Sequence, residues 1–150
     1  MGNQNWGTPW GLFYKLDRHF HFTLDGAADT TNFKVANYYG LDNGRDAFTQ
    51  SPYKEVIFCN PPYNNMMPWA ELFVRWAVDN VVVALTQDKT DTAWFKYLWE
   101  HSMQVQFLHK RIAFIGTKTS NMHGATIFLP VNIRFRGLVV GIWDWQNEEW

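Results

Sequence analysis

The sequence predicts an α/β domain of three layers, in which helices cover both faces of a mixed sheet with antiparallel strands at one edge. Short apolar runs alternate with segments of helical periodicity as far as residue 101, and the remainder of the chain is rich in strand-like runs. The 150 residues, 47% of them hydrophobic, are enough for one buried core. We therefore expect residues 1–150 to form a single domain.

Three helices are predicted. The first starts at Thr8-Pro9, with Thr8 as the N-cap and Pro9 at the first helical position, and apolar residues follow at helical spacing. The second begins at Pro68. The third covers residues 92–101, with Thr92 or the aspartate before it as the N-cap.

The predicted strands are short apolar runs. They lie at residues 22–24, 56–59, 81–85, 105–108, 112–115, 126–129 and 138–143. Ligands of open α/β sheets bind beyond the carboxyl ends of the parallel strands. The loops after the first three runs are therefore the places where we expect the chemistry.

Composition excludes several classes of protein. The 13 Lys and Arg residues against 14 Asp and Glu residues give a formal charge of −1, which excludes a polycationic coat protein. No apolar run has the length of a membrane span, and the first residues lack the apolar core of a signal peptide, so no membrane partner is expected. A single cysteine, Cys59, cannot form an internal disulfide, which favours a cytoplasmic location. The five histidines lack regularly spaced carboxylate partners, and we expect no metal site.

The most informative motif is Asn60-Pro61-Pro62-Tyr63, which follows the apolar run Val56–Cys59 directly. Two consecutive prolines cannot continue a strand, so they form a rigid loop at its carboxyl end. The side-chain oxygen of Asn60 and the carbonyl of Pro61 are two acceptors, and Tyr63 adds a flat face. Such a loop suits a planar ring with an exocyclic amino group, whose lone pair it would direct towards an electrophile. A simple strand-terminating turn is the alternative interpretation.

Four ordered blocks of the chain resemble the short phage-type DNA adenine-N6 methyltransferases (Dam-like). The blocks are Trp6-Gly7-Thr8-Pro9, Phe22-Thr23-Leu24-Asp25-Gly26-Ala27-Ala28-Asp29 with Asn32, Asn60-Pro61-Pro62-Tyr63, and Thr90-Asp91-Thr92-Ala93-Trp94-Phe95. Together they extend over roughly residues 6 to 130. The resemblance implies a Rossmann-like methyltransferase fold, with S-adenosylmethionine as the methyl donor and the amino group of adenine as the acceptor.

The resemblance also implies where the cofactor binds. Thr8 and Pro9 would contact its methionine end, and residues 25–28 would form the turn after the first strand, although this turn has one glycine where the usual form has G-x-G. An acid that binds the ribose should follow the second strand of the fold. No strand is clear between the predicted strands at 22–24 and 56–59, so Asp42 is the nearest candidate for this acid. The predicted cofactor-binding residues are Trp6, Thr8, Pro9, Asp25, Gly26, Ala27, Ala28, Asp46, Phe48 and Asn60. Of these, Asp46 and Phe48 would bracket the adenine of the cofactor.

The predicted catalytic residues are those of the proline loop: Asn60, Pro61, Pro62 and Tyr63. A base inside a duplex hides its amino group, so the substrate is single-stranded DNA or a flipped adenine. Tyr63 would stack on that adenine, while Asn60 and Pro61 would hold its amino group. The product nitrogen loses its proton easily, so no general base is needed.

A basic segment is the candidate DNA-binding surface, since residues 86–136 carry seven basic side chains and three acidic ones. The predicted DNA-binding residues are Lys89, Lys110, Arg111, Lys118, Asn121 and His123, and Lys96 and Arg134 could extend the same face. No segment is long enough for a separate target-recognition domain. The 9 Trp, 12 Phe and 6 Tyr residues leave apolar surface that a homodimer could cover.

Two other functions remain open on the sequence. The same chemistry could serve another planar amino group, namely cytosine N4, an RNA base or a protein glutamine. Alternatively, the chain could be a nucleic-acid-binding relative without turnover, because the cofactor turn is poor in glycine.

Overall fold

The computed structural model describes residues 7–116 and 123–150, which contain three α-helices and six strands. The helices are α1 (Trp10–Phe20), α2 (Met66–Trp76) and α3 (Ala93–Glu100). The strands are β1 (Leu24–Asp25), β2 (Val56–Cys59), β3 (Val81–Gln87), β4 (Ser102–Leu108), β5 (Ala125–Pro130) and β6 (Val139–Trp143). Single 3₁₀ turns occupy Leu41–Asn43 and Ala47–Thr49. Three predicted site residues, Trp6, Lys118 and Asn121, lie outside the described residues.

The strands form one mixed sheet in the order β1-β2-β3-β5-β4-β6. Strands β1, β2 and β3 are parallel, β6 is parallel to β4, and β5 is antiparallel to both of its neighbours. The α/β class and the mixed sheet are confirmed. The expected position of the antiparallel strands at one edge is wrong, because the antiparallel strand β5 lies inside the sheet. Every residue of β5 is buried, as a central strand requires.

Side chains of the central strands alternate between two apolar clusters. Ile57 and Cys59 of β2 belong to the cluster that packs against α2 and α3, whereas Phe58 belongs to the cluster that includes α1. β2 is therefore buried on both faces, between two layers of helix. Among the described residues, no helix is long and apolar enough to span a membrane.

The start of α1 differs from the prediction. The helix begins at Trp10 with Pro9 as its N-cap, so Thr8 lies one residue before the cap and does not cap it. The buried hydroxyl of Thr8 instead accepts a hydrogen bond from the side chain of Asn60. A sequence pattern cannot distinguish these two uses of a threonine, because the second one depends on a residue far along the chain.

Other predicted boundaries shift by a few residues or fail. α2 begins at Met66, so Pro68 lies within its first turn, where a missing N–H is tolerated. Thr92 is the N-cap of α3, and its hydroxyl accepts from the Phe95 N–H at 3.3 Å. The predicted strand at residues 112–115 is absent, and only Ile115 pairs, in an isolated bridge with Gly7.

A short segment pairs with β1 in an isolated parallel bridge between Asp25 and Tyr38, where the sequence showed no clear strand. Asp25 donates its N–H to the Asn37 carbonyl at 3.0 Å and accepts from the Tyr39 N–H at 2.9 Å. Ala28 in turn donates to the Tyr39 carbonyl at 2.9 Å. Gly40 follows at once, and a Cβ on this residue would overlap the carbonyl oxygen of Ala28. The close approach of these two turns therefore requires glycine at position 40.

This contact predicts that Gly40→Ala destabilises the protein by about 1–3 kcal/mol, as overpacking does. Gly11→Ala is the matched control, because a Cβ at this helical position meets nothing within 4 Å. The control is expected to stabilise the helix by roughly 0.5–1 kcal/mol. Urea unfolding of both variants measures the two effects, and a Gly40→Ala variant as stable as the wild type would contradict the packing described.

Candidate active site

The loops that carry most of the predicted site residues meet at one edge of the sheet, namely the edge formed by the carboxyl ends of its parallel strands. Strands β1, β2, β3 and β4 end at this edge, and the antiparallel β5 begins there. The segments that come together are the turn after β1, residues 60–65, residues 88–92, residues 109–116 and residues 123–124. The predicted site residues therefore come together at the carboxyl ends of the parallel strands.

Two hydroxyl groups hold the side chain of Asn60. Its Oδ1 accepts a hydrogen bond from the Tyr63 hydroxyl at 2.5 Å, and its Nδ2 donates to Oγ1 of Thr8 at 3.1 Å. The Tyr63 hydroxyl also lies 3.4 Å from the carbonyl oxygen of Leu85, two residues before the end of β3. Burial raises the pKa of Tyr63 well above its ordinary value, so this hydroxyl remains a donor at every physiological pH.

The hydroxyl contact of Tyr63 was not predicted, because the sequence suggested a use only for the face of the ring. The ring is half-buried and meets Phe114 edge to face, with centroids 6.2 Å apart. Phe114 belongs to residues 109–116, so this segment lies beside the proline loop. Stacking of Tyr63 on a base stays a prediction.

A cavity of about 560 Å³ opens beside Asn60. Its volume is within the range of small-molecule and cofactor sites. The predicted site residues that line it are Ala27, Ala28, Asp46, Phe48, Asn60 and Pro62. Residues that the sequence did not indicate also line it, among them Tyr39, Gly40 and Trp69. The cavity therefore joins the turn after β1, the 3₁₀ turns and the proline loop in one site.

Part of the cavity lining is aromatic and acidic. Phe48 meets Trp69 of α2 edge to face, with centroids 4.7 Å apart. Asp46 caps the turn that carries Phe48, and its carboxylate accepts from the Phe48 N–H at 3.0 Å. Trp69 follows Pro68 at the start of a helix, so its position one turn from the proline loop is the signal that could have revealed it.

Asp42 follows the short segment beside β1, as an acid placed after a second strand should. Asp42 lines the cavity, and its carboxylate accepts from the Thr30 N–H at 2.8 Å. The structure thus brings Asp42, Asp46 and Asn60 to the wall of one cavity. Contact of Asp42 with a ribose stays a prediction.

Two residues of the predicted cofactor turn are buried. Gly26 packs between β2 and α2, since a Cβ on it would lie 3.0 Å from the Trp76 ring. The Asp25 carboxylate accepts from the backbone N–H groups of Lys34 at 3.0 Å and Ala27 at 3.3 Å. Burial outweighs these hydrogen bonds and raises the pKa of Asp25 to about 7. Neither residue lines the large cavity, and their contact with a cofactor stays a prediction, as does that of Pro9.

A second, water-sized cavity of about 10 Å³ adjoins Asn60. Its polar lining consists of Thr8, Asp25, Asn32, Lys34 and Asn60. Burial lowers the pKa of Lys34, whose Nζ lies 4.3 Å from the centroid of the Trp10 ring. Within residues 7–116 and 123–150, no cluster of three or more His, Cys, Asp or Glu residues could hold a metal ion.

Comparison with known proteins decides the family. The family described as DNA N-6-adenine-methyltransferase (Dam) matches residues 2–133. The chain belongs to this family. A DNA N-6-adenine-methyltransferase of Haemophilus phage HP1 (strain HP1c1) is 28% identical over 119 residues, which are 76% of this chain and 68% of the phage protein. The resemblance drawn from the four sequence blocks is confirmed.

The basic residues of this Dam-family chain divide between two edges of the sheet. Lys110 and Arg111 are exposed on residues 109–116, and Lys89 and His123 lie at the same edge as Asn60. Lys96 and Arg134 do not extend this surface. Both contact the carboxylate of Glu100, at 3.0 and 2.6 Å, near the opposite edge. They do not share one basic face with Lys110 and Arg111, because α3 and the antiparallel β5 both carry the chain away from the edge where Asn60 lies.

The buried Asp25 predicts a specific pH dependence of stability. The folded carboxyl keeps its proton up to about pH 7, whereas the unfolded one loses it near 3.8, so the free energy of unfolding falls as pH rises between these values. Asp25→Asn removes this titration. Relative to the wild type, the variant should gain roughly 2.7 kcal/mol of stability between pH 5 and pH 8, at 1.36 kcal/mol for each of the two pH units below 7. Urea unfolding at both pH values tests this, and a constant difference between the two proteins would show that Asp25 is ionised in the fold.

Proposed function

We propose that this Dam-family chain transfers a methyl group from S-adenosylmethionine to the N6 amino group of adenine at specific sites in DNA, on a Rossmann-like methyltransferase fold. The observation that carries the proposal is the position of Asn60. It stands at the carboxyl end of the buried strand β2 and forms part of the wall of the 560 Å³ cavity. The acceptor for a target amino group and the space for a cofactor are therefore adjacent.

The lining of the cavity suits S-adenosylmethionine. Phe48 and Trp69 offer aromatic surface for its adenine, and the carboxylates of Asp42 and Asp46 suit hydroxyl and amino donors. Ala27 and Asn32 line the cavity beside Asn60, at the end where the methionine part would be held. When bound, the cofactor supplies an electrophilic methyl group.

The protein itself contributes position and exclusion of water. Asn60 Oδ1 has two lone pairs, so it can accept from the adenine amino group while it accepts from Tyr63. The Pro61 carbonyl takes the second N–H of that amino group, and the nitrogen lone pair then points towards the cavity. The ring of Tyr63 stacks on the flipped base. Holding the reacting groups in this geometry supplies most of the rate enhancement.

DNA would lie across the edge of the sheet that carries Asn60. Lys110, Arg111 and Lys89 there can neutralise phosphates, which gives affinity without sequence information. Residues 109–116 also contact the proline loop through Phe114 and Tyr63, so a duplex held by this segment lies next to the target site.

We further propose a homodimer in a reducing cytoplasm. Val139, Val140 and Ile142 of the edge strand β6 are exposed, and apolar edge strands favour pairing with another chain. Cys59 is buried and unbonded, as expected where thiols stay reduced.

Asn60→Ala should lower the rate of methyl transfer about 10²–10³-fold, because a preorganised acceptor is lost. Cofactor affinity, measured by calorimetry, should stay within a few-fold of the wild type. Asn64→Ala is the matched control, since Asn64 is an exposed residue of the same loop. Methylation assays with both variants decide the role, and near-normal activity of Asn60→Ala would refute it.

The DNA-binding surface is tested by salt dependence. The double variant Lys110→Ala/Arg111→Ala should reduce the slope of log affinity against log salt by about one to two units and weaken all DNA sequences similarly. The double variant Lys96→Ala/Arg134→Ala removes the same charge at the opposite edge and should leave the slope unchanged. Equal slopes for the two double variants would place the DNA elsewhere.

A further inference from the structure

The hydrogen bond between Thr8 and Asn60 joins two parts of the chain that are 52 residues apart. Thr8 comes just before α1, and Asn60 follows β2. Thr8 is 2% exposed, so its hydroxyl is an interior partner and exchanges little with solvent. Asn60 is half-buried and lines the large cavity, so a buried hydroxyl at a fixed position gives its amide a partner that the solvent at the cavity does not replace.

The backbone around Thr8 is fixed on both sides. Gly7 donates its N–H to the Ile115 carbonyl at 3.0 Å and accepts from the Ile115 N–H at 2.8 Å. On the other side, the Pro9 carbonyl accepts from the Phe13 N–H at 3.1 Å, within the first turn of α1. Thr8 is β-branched and has few rotamers. Its Oγ1 is therefore a fixed point against which a more mobile side chain can be oriented.

Asn60 needs such a fixed point. Its amide can rotate about two side-chain torsions, and rotation would turn the NH₂ group towards a target that also presents N–H donors. A functional acceptor is effective only when its neighbours hold it within about 0.5 Å of the productive geometry. Thr8 contacts the nitrogen end of the amide and Tyr63 contacts the oxygen end, so together they define its plane.

We propose that Thr8 is a positioning residue for methyl transfer, which acts by orienting the side-chain amide of Asn60 together with the Tyr63 hydroxyl. This inference rests on the proposed methyl transfer. It differs from the role that family resemblance implies for Thr8, namely contact with the methionine end of the cofactor. The two roles make different predictions, since a lost cofactor contact weakens cofactor binding, whereas a loosened Asn60 slows transfer at saturating cofactor.

The test compares Thr8→Val, which keeps the shape and loses the acceptor, with Thr8→Ser, which keeps the hydroxyl. We expect Thr8→Val to lower kcat about 5- to 10-fold, as the loss of one buried hydrogen bond does, with cofactor Kd within two-fold of the wild type. Thr8→Ser should recover most of kcat. A normal kcat in Thr8→Val, or a raised Kd that accounts for the whole loss, would overturn the proposal.

A second readout does not depend on activity. In ¹⁵N-labelled protein, the Asn60 side-chain amide resonances should shift and exchange faster with water in Thr8→Val than in the wild type or Thr8→Ser. Unchanged resonances in Thr8→Val would overturn the positioning role even if the wild type is active. If the wild type does not methylate DNA but the resonances shift in Thr8→Val as expected, the proposed function is overturned, whereas the orientation of Asn60 by Thr8 is supported.

A double-mutant cycle distinguishes orientation from a general structural effect. Thr8→Val and Tyr63→Phe each remove one hydroxyl from the same amide, so their effects on kcat should be strongly non-additive. Thermal unfolding of all variants shows whether the fold is intact. Simple additivity of the two effects would mean that the hydroxyls act separately, and it would refute the proposal that both orient the Asn60 amide.

Discussion

Strand β2 is buried on both faces, and two prolines follow one residue after its end. The rest of the site depends on this constraint. Ile57, Phe58 and Cys59 are held between two layers of helix, so the strand cannot slide or rotate. Pro61 and Pro62 prevent its continuation. The residue between the strand and the prolines, Asn60, is therefore held at the edge of the sheet, with its side chain between the cavity and Thr8.

Segments distant in sequence complete the site because five of the six strands run in one direction and end at the same edge, where the antiparallel sixth strand begins. The turn after β1, the proline loop and residues 109–116 meet there without any inserted domain. The charges separate in the same way. Lys110 and Arg111 lie at the edge of the sheet that carries Asn60, while Arg134 forms an ion pair with Glu100 near the opposite edge. A chain with a net charge of −1 can thus present positive charge where DNA is proposed to bind.

The sequence predicted those features that depend on local pattern. The apolar run at residues 56–59, the cap at Thr92 and the proline loop are each encoded by neighbouring residues, and the structure has them where expected. Features that depend on distant partners could not be predicted. Whether Thr8 caps a helix or binds Asn60, and whether β5 is central or at an edge, is decided by contacts across tens of residues. Gly40 is similar, since its need for glycine comes from the carbonyl of Ala28.

Methylation of the N6 amino group of adenine in DNA can be observed directly. The most direct test is to incubate the wild-type protein with S-adenosylmethionine carrying a labelled methyl group and with unmethylated DNA, and then to digest the DNA and identify the labelled nucleoside. We expect label in N6-methyladenine alone. Label in N4-methylcytosine, or no transfer to DNA by a protein that binds the cofactor, would contradict it.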